Sequence, residues 1–252
     1  MNDSFYNEIL QGIAHKAQQE GYGLLVGLTG ENACSEQDQL RFFQEKSVDG
    51  IIISNYCIET IPYLIRLKEK KVPFVICDFE TYDPDIPVIV LDEKRAMELL
   101  TDYILSLGHQ KIGFYYHLNK NSLYRYNIVS DYLHQKGFPK PLLYKNREQL
   151  IESMKQADSP TAIMGYSDLF AIEIIHVLKE LGISVPYDVS VTGFDDLKYA
   201  HWPEYNLTTI YQPKIKIGEL SASLLIELIQ GKQINMPVYI EPQLIVRKSC
   251  ME

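Results

Sequence analysis

The sequence predicts an α/β protein in which helices cover two parallel sheets. Helical stretches alternate with short apolar stretches along most of the chain, which is typical of βαβ units. This alternation restarts after a proline-rich loop that contains Asp83, Pro84 and Pro87. Asp195 and Asp196 directly follow a β-branched run, so carboxylates are expected at the carboxyl end of a buried strand. Together these observations indicate two successive α/β lobes with a ligand cleft between them.

The first lobe is expected to begin with a helix from Ser4 to Gly21, because apolar residues recur there at helical spacing. Two further helices are expected at residues 37–46 and 61–70. Apolar runs between these helices predict strands at residues 23–28, 51–53 and 72–78. Helices and strands alternate along this part of the chain, which is the pattern of a parallel sheet.

The second lobe repeats this pattern with a longer series of elements. Strands are expected at residues 88–91, 111–116, 142–144, 161–164 and 189–192. Helices are expected at residues 93–107, 126–135, 148–155 and 169–181. A last amphipathic helix at 215–230 and apolar runs at 237–240 and 243–248 are too few for a third domain. We therefore expect them to complete the two existing sheets.

Composition and charge exclude several classes of protein. The chain has 252 residues and a formal net charge of −9, which argues against a surface that grips nucleic acid through its phosphates. Its 4 cysteines show no CxxC spacing, so neither a zinc site nor a redox dithiol is expected. The N-terminal residues lack the basic and apolar regions of a signal peptide, and no apolar run is long enough for a membrane span. We expect a cytoplasmic protein without metal or cofactor.

No catalytic motif fits the chain well. Gly165-Tyr166-Ser167 resembles a nucleophile elbow but lacks its second glycine. The glycines at 21, 23 and 27 do not have the spacing of a dinucleotide-binding loop, and they enter a predicted strand instead of leaving one. The sequence therefore predicts a binding protein and no enzyme.

A long ordered series of segments resembles the LacI/GalR family of bacterial transcription regulators. The strongest of these are VPYDVSVTGFDDLKYA and LTTIYQP, supported by SFYNEILQGIAHKAQQEGYGLLV, VDGIII, VPFVICD, PTAIMGYSD and LIVRKS. The resemblance implies the effector-binding core in a periplasmic-binding-protein-like type I fold, with three crossovers between lobes. It implies an N-terminal lobe of residues 1–90 plus 213–235. The C-terminal lobe would comprise residues 91–212 plus 236–252.

The resemblance also implies ligand-binding positions. Arg125 matches the family arginine that reaches into the cleft, although Ile128 stands where the family usually has glycine. Asp195 matches a carboxylate that accepts hydrogen bonds from effector hydroxyls; by position alone it could equally cap a helix. Ser167 matches a polar pocket position, and Asn121 lies on a predicted loop near Arg125. A guanidinium offers a rigid fork of donors, which suits hydroxyl pairs or a carboxylate.

Aromatic residues of the first lobe complete this set of positions. Phe5 and Phe79 match positions that are often aromatic or apolar at the first-lobe wall, and a flat ring suits the C–H face of a sugar or a base. Both could instead be core residues. An Arg/Asp pair with aromatic walls fits a mono- or disaccharide best, and a purine or phosphorylated sugar less well.

The resemblance further implies a homodimer, ligand-driven lobe closure, and operator DNA binding only through a helix-turn-helix headpiece that this sequence lacks. A strand that precedes the first helix in the family is also missing, and its absence would leave backbone groups of the first sheet unpaired. We therefore expect Met1 to be an engineered, mis-called or truncated start. The alternative function is a sugar-binding receptor of a transport system with the same fold.

Overall fold

The computed structural model describes residues 4–30, 33–54, 56–79, 83, 85–117, 120–234 and 236–251. Its helices are α1 (Ser4–Gln19), α2 (Ala33–Glu45), α3 (Ile61–Glu69), α4 (Glu93–Ser106), α5 (Lys120–Gln135), α6 (Arg147–Met154), α7 (Asp168–Glu180) and α8 (Lys214–Ile229). Its strands are β1 (Ile51–Ile53), β2 (Phe74–Cys77), β3 (Val88–Leu91), β4 (Ile112–Tyr115), β5 (Leu142–Tyr144), β6 (Ala162–Gly165), β7 (Ser190–Thr192), β8 (Thr209–Tyr211), β9 (Val238–Ile240) and β10 (Gln243–Ile245).

The chain divides into two compact units. The first comprises residues 1–91 with 213–240, and the second comprises residues 92–212 with 241–252. In the first unit, the described residues form a parallel sheet in the order β1-β2-β3-β9. Every residue of β2 and β3 is buried, which explains why these strands are continuous apolar runs instead of alternating ones.

Helices α1 and α8 of the first unit approach each other closely at two glycines. A Cβ atom added to Gly12 would overlap the carbonyl oxygen of Ile215, and one added to Gly218 would overlap the carbonyl oxygen of Ile9. Glycine is therefore required at this crossing so that the two helix backbones can meet.

Strand β9 belongs to the first unit, which corrects the assignment of residues 236–240 to the C-terminal lobe. It pairs in parallel with β3, with Ile89 opposite Val238 and Leu91 opposite Ile240. The chain therefore leaves the first unit after Ile240 and not after residue 235. The apolar run itself was predicted, but its partner strand depends on hydrogen bonds to a distant part of the chain.

The strand predicted at residues 23–28 is not formed. The segment belongs to no sheet of the described chain, in which β1 is the end strand next to β2 alone. The side chains of Leu24, Leu25, Val26 and Leu28 are 44% to 61% exposed. An apolar run becomes a strand only when a neighbour pairs with its backbone, and the prediction was wrong because no such neighbour lies beside this segment.

The second unit contains a parallel sheet in the order β5-β4-β6-β7 and an antiparallel pair of β8 with β10. Strands β4, β6 and β7 are buried throughout. Helix α4 is capped by Asp92, which accepts a hydrogen bond from the Arg95 N–H at 2.9 Å. The carboxyl ends of β6 and β7 lie side by side, so the segments that follow them are brought together.

Candidate functional site

Arg125 is held from three sides in the second unit. It lies in the second turn of α5 and is 5% exposed. Its Nε and Nη2 atoms donate to the same Glu93 oxygen, Oε1, at 3.1 and 2.6 Å. Its Nη1 atom donates to the Tyr166 carbonyl oxygen at 2.9 Å, and the guanidinium carbon lies 3.6 Å from the centre of the Phe194 ring. The position of the guanidinium is therefore fixed by α4, by the end of β6 and by the end of β7.

The guanidinium of Arg125 stays positively charged although it is buried. Burial alone lowers the pKa of this guanidinium, but Glu93, then Tyr166 and Asp195, outweigh that effect and raise the pKa above its ordinary value. A buried charge without such partners would destabilise the fold by roughly several kcal/mol. Glu93 therefore makes it possible to bury the Arg125 guanidinium.

Asp195 is the third residue after β7 and has a backbone conformation that few non-glycine residues adopt, with φ of 110°. Its N–H donates to the Ile210 carbonyl oxygen at 2.9 Å, and its Oδ1 accepts from Gln212 Nε2 at 2.7 Å. An unusual backbone conformation held in place by surrounding bonds is frequent at functional sites. A ligand-binding role of Asp195 stays a prediction.

Asp168 anchors the loop that carries Asp195. It is fully buried, and its Oδ2 accepts from the Leu197 N–H at 2.7 Å while its Oδ1 accepts from the Thr209 hydroxyl at 2.6 Å. Burial, and then the neighbouring Asp195, raise the pKa of Asp168 well above its ordinary value. A Cβ atom at position 193 would overlap Asp168 Oδ1, so Gly193 provides the space for this carboxylate.

Ser167 and Asn121 are the two polar positions predicted to join Arg125 in the site. Ser167 follows Tyr166, and its hydroxyl makes no hydrogen bond to the start of α7. Asn121 lies in the first turn of α5, four residues before Arg125, and therefore on the same face of the helix. The prediction of a loop at Asn121 was wrong, because α5 already begins at Lys120. In the first turn of this helix, Ser122 Oγ accepts a hydrogen bond from the His117 N–H at 2.9 Å, which connects the segment after β4 to the helix.

Phe5 and Phe79 belong to the first unit. Phe5 is buried, and its ring lies edge to face with the ring of Tyr6, with 5.2 Å between the ring centres. The Lys214 Nζ atom lies 5.9 Å from the centre of the Phe5 ring. Phe79 packs its ring against Tyr56 at 5.0 Å and against the apolar core of this unit. Core packing of Phe79 is thus observed, and a ligand-binding role of either ring stays a prediction.

The residues next to Arg125 and Asp195 that sequence reasoning missed are Glu93, Tyr166, Asp168, Phe194 and Gln212. Asp168 directly follows the predicted Ser167, and Gln212 belongs to the matched segment LTTIYQP, which was a usable signal. Glu93 gave no such signal, because an acidic residue in the first turn of a helix is usually explained by the helix dipole.

The described residues contain no group of three or more His, Cys, Asp or Glu side chains placed to hold a metal ion. Within the same residues, no helix has the length and apolar character that crossing a membrane requires. The arrangement around Arg125 and Asp195 offers N–H donors, carboxylate acceptors and aromatic faces, which is suited to binding a polar small molecule.

Known proteins match this chain over nearly its whole length. A family model described as a periplasmic binding protein-like domain matches residues 101–250. The arabinose metabolism transcriptional repressor of Geobacillus stearothermophilus is 26% identical over 275 residues, which cover 100% of this chain and 75% of the relative. The HTH-type transcriptional repressor PurR of Photobacterium profundum is 29% identical over 269 residues, which cover 98% of this chain and 78% of the relative.

A solved structure shows the same fold. It is a protein from Bacillus cereus subsp. cytotoxis assigned as a transcriptional regulator LacI, with a TM-score of 0.85 and 26% identity. The match covers 98% of this chain and 92% of the other.

Proposed function

The chain belongs to the periplasmic binding protein-like family and is the effector-binding core of a LacI/GalR-type transcriptional regulator, and we propose that its effector is a sugar bound by Arg125 and Asp195. The observation that carries this proposal is the pair of side chains at the carboxyl ends of β6 and β7. Arg125 is held against the Tyr166 carbonyl oxygen, and Asp195 acts on its charge. Guanidinium donors and a carboxylate acceptor together match the hydroxyl groups of a sugar.

Ser167 and Asn121 extend the proposed site. Both are polar and both lie in the second unit. Asn121 is four residues before Arg125 on helix α5, and Ser167 follows Tyr166, whose carbonyl oxygen accepts a hydrogen bond from Arg125. Phe5 and Phe79 are proposed to supply ring faces from the first unit. Ligand binding can regulate the protein only if the alternative conformations of the core bind the ligand with different affinity. Lobe closure as that conformational change stays a prediction.

The regulator is favoured over the receptor of a transport system. The matched relatives described above are transcriptional repressors. We propose a cytoplasmic homodimer without catalytic activity, in which duplex DNA is not held by residues 1–252 themselves because their net charge is −9. Operator binding would then require the helix-turn-helix headpiece of the family. Sedimentation velocity tests the dimer, and a species of one chain at micromolar concentration would contradict it.

A thermal shift assay against a sugar panel tests the proposed ligand class. A ligand at 100 times its Kd adds about 2.7 kcal/mol to the free energy of unfolding, so the responding sugar is readily detected. Asp195→Ala is expected to abolish the response. Asp131→Ala is the matched control, because Asp131 is an exposed carboxylate of α5. An unchanged response of Asp195→Ala would show that the ligand binds elsewhere.

A further inference from the structure

Glu93 places a buried carboxylate against the proposed ligand-binding arginine. It is the first residue of α4, and only 11% of its side chain is exposed. A single oxygen, Oε1, accepts hydrogen bonds from both Nε and Nη2 of Arg125. The carboxylate therefore covers one edge of the guanidinium, to which a ligand carboxylate or phosphate could otherwise bind through two oxygens.

Few donors of Arg125 remain for a ligand. A guanidinium has five N–H groups, and three of them donate to Glu93 and to the Tyr166 carbonyl oxygen. Phe194 covers one face of the group at 3.6 Å. A ligand can thus use one N–H from each terminal nitrogen, which suits neutral hydroxyl oxygens, whereas the edge formed by Nε and Nη2 is already occupied by Glu93.

The charge balance near Arg125 also disfavours an anion. Glu93 and Asp195 both act on the charge of this one guanidinium, so two carboxylates face one cation. An anionic ligand would be attracted by Arg125 and repelled by both carboxylates, whereas a neutral ligand would not lose free energy through this repulsion. The buried position strengthens these interactions because solvent screens them poorly.

We infer that Glu93 is a specificity-determining residue that restricts the Arg125 site to neutral hydroxyl-bearing ligands and excludes sugar phosphates and sugar acids. This inference rests on the proposed function and adds to it the charge of the ligand and the residue that selects it. Glu93 acts through Arg125, so it is a positioning and selecting residue and need not contact the ligand.

The test compares neutral sugars with their own anionic derivatives by isothermal titration calorimetry. The probes are D-glucose with gluconate and glucose 6-phosphate, D-galactose with galacturonate, and D-ribose with ribose 5-phosphate. Wild type is expected to bind the neutral member of the responding pair at least tenfold more tightly than the anionic member, which corresponds to about 1.4 kcal/mol. Glu93→Gln keeps the shape of the side chain and removes its charge, and it is expected to reduce this preference at least tenfold.

Glu93→Asp is the matched control, because it keeps the charge and shortens the side chain by one methylene group. It is expected to retain the preference for the neutral sugar. Equal relaxation in Glu93→Asp and Glu93→Gln would overturn the inference, since packing and not charge would then decide. Circular dichroism and the thermal melt confirm that each variant is folded.

Wild type decides the inference even if Glu93→Gln does not fold. Equal or tighter binding of the anionic member by wild type overturns it, and the proposed sugar-binding function would survive. An unchanged preference in folded Glu93→Gln removes Glu93 as the determinant. If neither member of any pair binds wild type, the proposed sugar-binding function itself fails, and the inference fails with it.

Discussion

Replacement of Asp195 by glycine should give a more stable protein than replacement by alanine. The φ angle of 110° at this position costs a residue with a Cβ atom about 1–3 kcal/mol, and glycine avoids this cost. Glycine loses about 0.5–1 kcal/mol more conformational entropy on folding. Both variants lose the hydrogen bond from Gln212, so this loss cancels between them. The expected difference is therefore about 1 kcal/mol in favour of glycine.

Urea unfolding followed by tryptophan fluorescence measures this difference. Trp202 is the only tryptophan of the chain, and it belongs to the second unit together with Asp195. A matched pair at Lys198, which is exposed and does not have a positive φ angle, should show the opposite order, with alanine more stable by about 0.5–1 kcal/mol. If alanine is the more stable residue at both positions, the strain assigned to Asp195 is absent. Neither Asp195 variant should respond to the sugar that stabilises wild type.

Three further predictions concern packing and charge. Arg125→Met should lower the free energy of unfolding by about 3–5 kcal/mol, because it leaves the Glu93 carboxylate buried without its cation. Adding Glu93→Leu to this variant should recover most of the loss, as measured by urea unfolding. No recovery in the double variant would contradict the pairing of Arg125 with Glu93. Gly218→Ala should cost at least about 1–3 kcal/mol through overlap with the facing helix, whereas Ser223→Ala on the same helix should change the thermal melt little. The raised pKa of Asp168 means that the folded protein keeps a proton that the unfolded chain releases, so its contribution to stability falls as pH rises from about 3.8 through the folded-state pKa. The stability of Asp168→Asn relative to wild type should therefore increase with pH over this range, and a flat difference in pH-dependent unfolding would refute the assignment.

Local patterns predicted most helices and strands of the fold. The predicted runs at residues 51–53 and 88–91 coincide with β1 and β3, because apolar residues bounded by turn residues have few other stable conformations. The sheet to which β9 belongs could not be predicted in the same way, because its pairing with β3 joins residues about 150 positions apart. The strand prediction at residues 23–28 failed because this apolar run pairs with no strand of the described chain.

The sequence predicted the positions of those site residues that follow strands. Asp195 and Ser167 follow buried strands, and the sequence places both at the carboxyl end of a sheet. The sequence did not predict how Arg125 is engaged. Its guanidinium was expected to offer a rigid fork of donors to a ligand, but part of that fork donates to Glu93 of α4, with Nη2 2.6 Å from Oε1. Whether a charged side chain faces solvent or a buried partner depends on tertiary packing, which spacing along the chain does not specify.

The apolar side chains of residues 24–28 have a consequence for work with this protein in solution. Three leucines and a valine, with side chains 44% to 61% exposed, favour association between molecules as concentration rises. We therefore expect concentrated samples of these 252 residues to associate through this segment, independently of ligand binding. Lysine in place of Leu25 or Leu28 would raise solubility and leave the surroundings of Arg125 and Asp195 unchanged, since both leucines belong to the other unit.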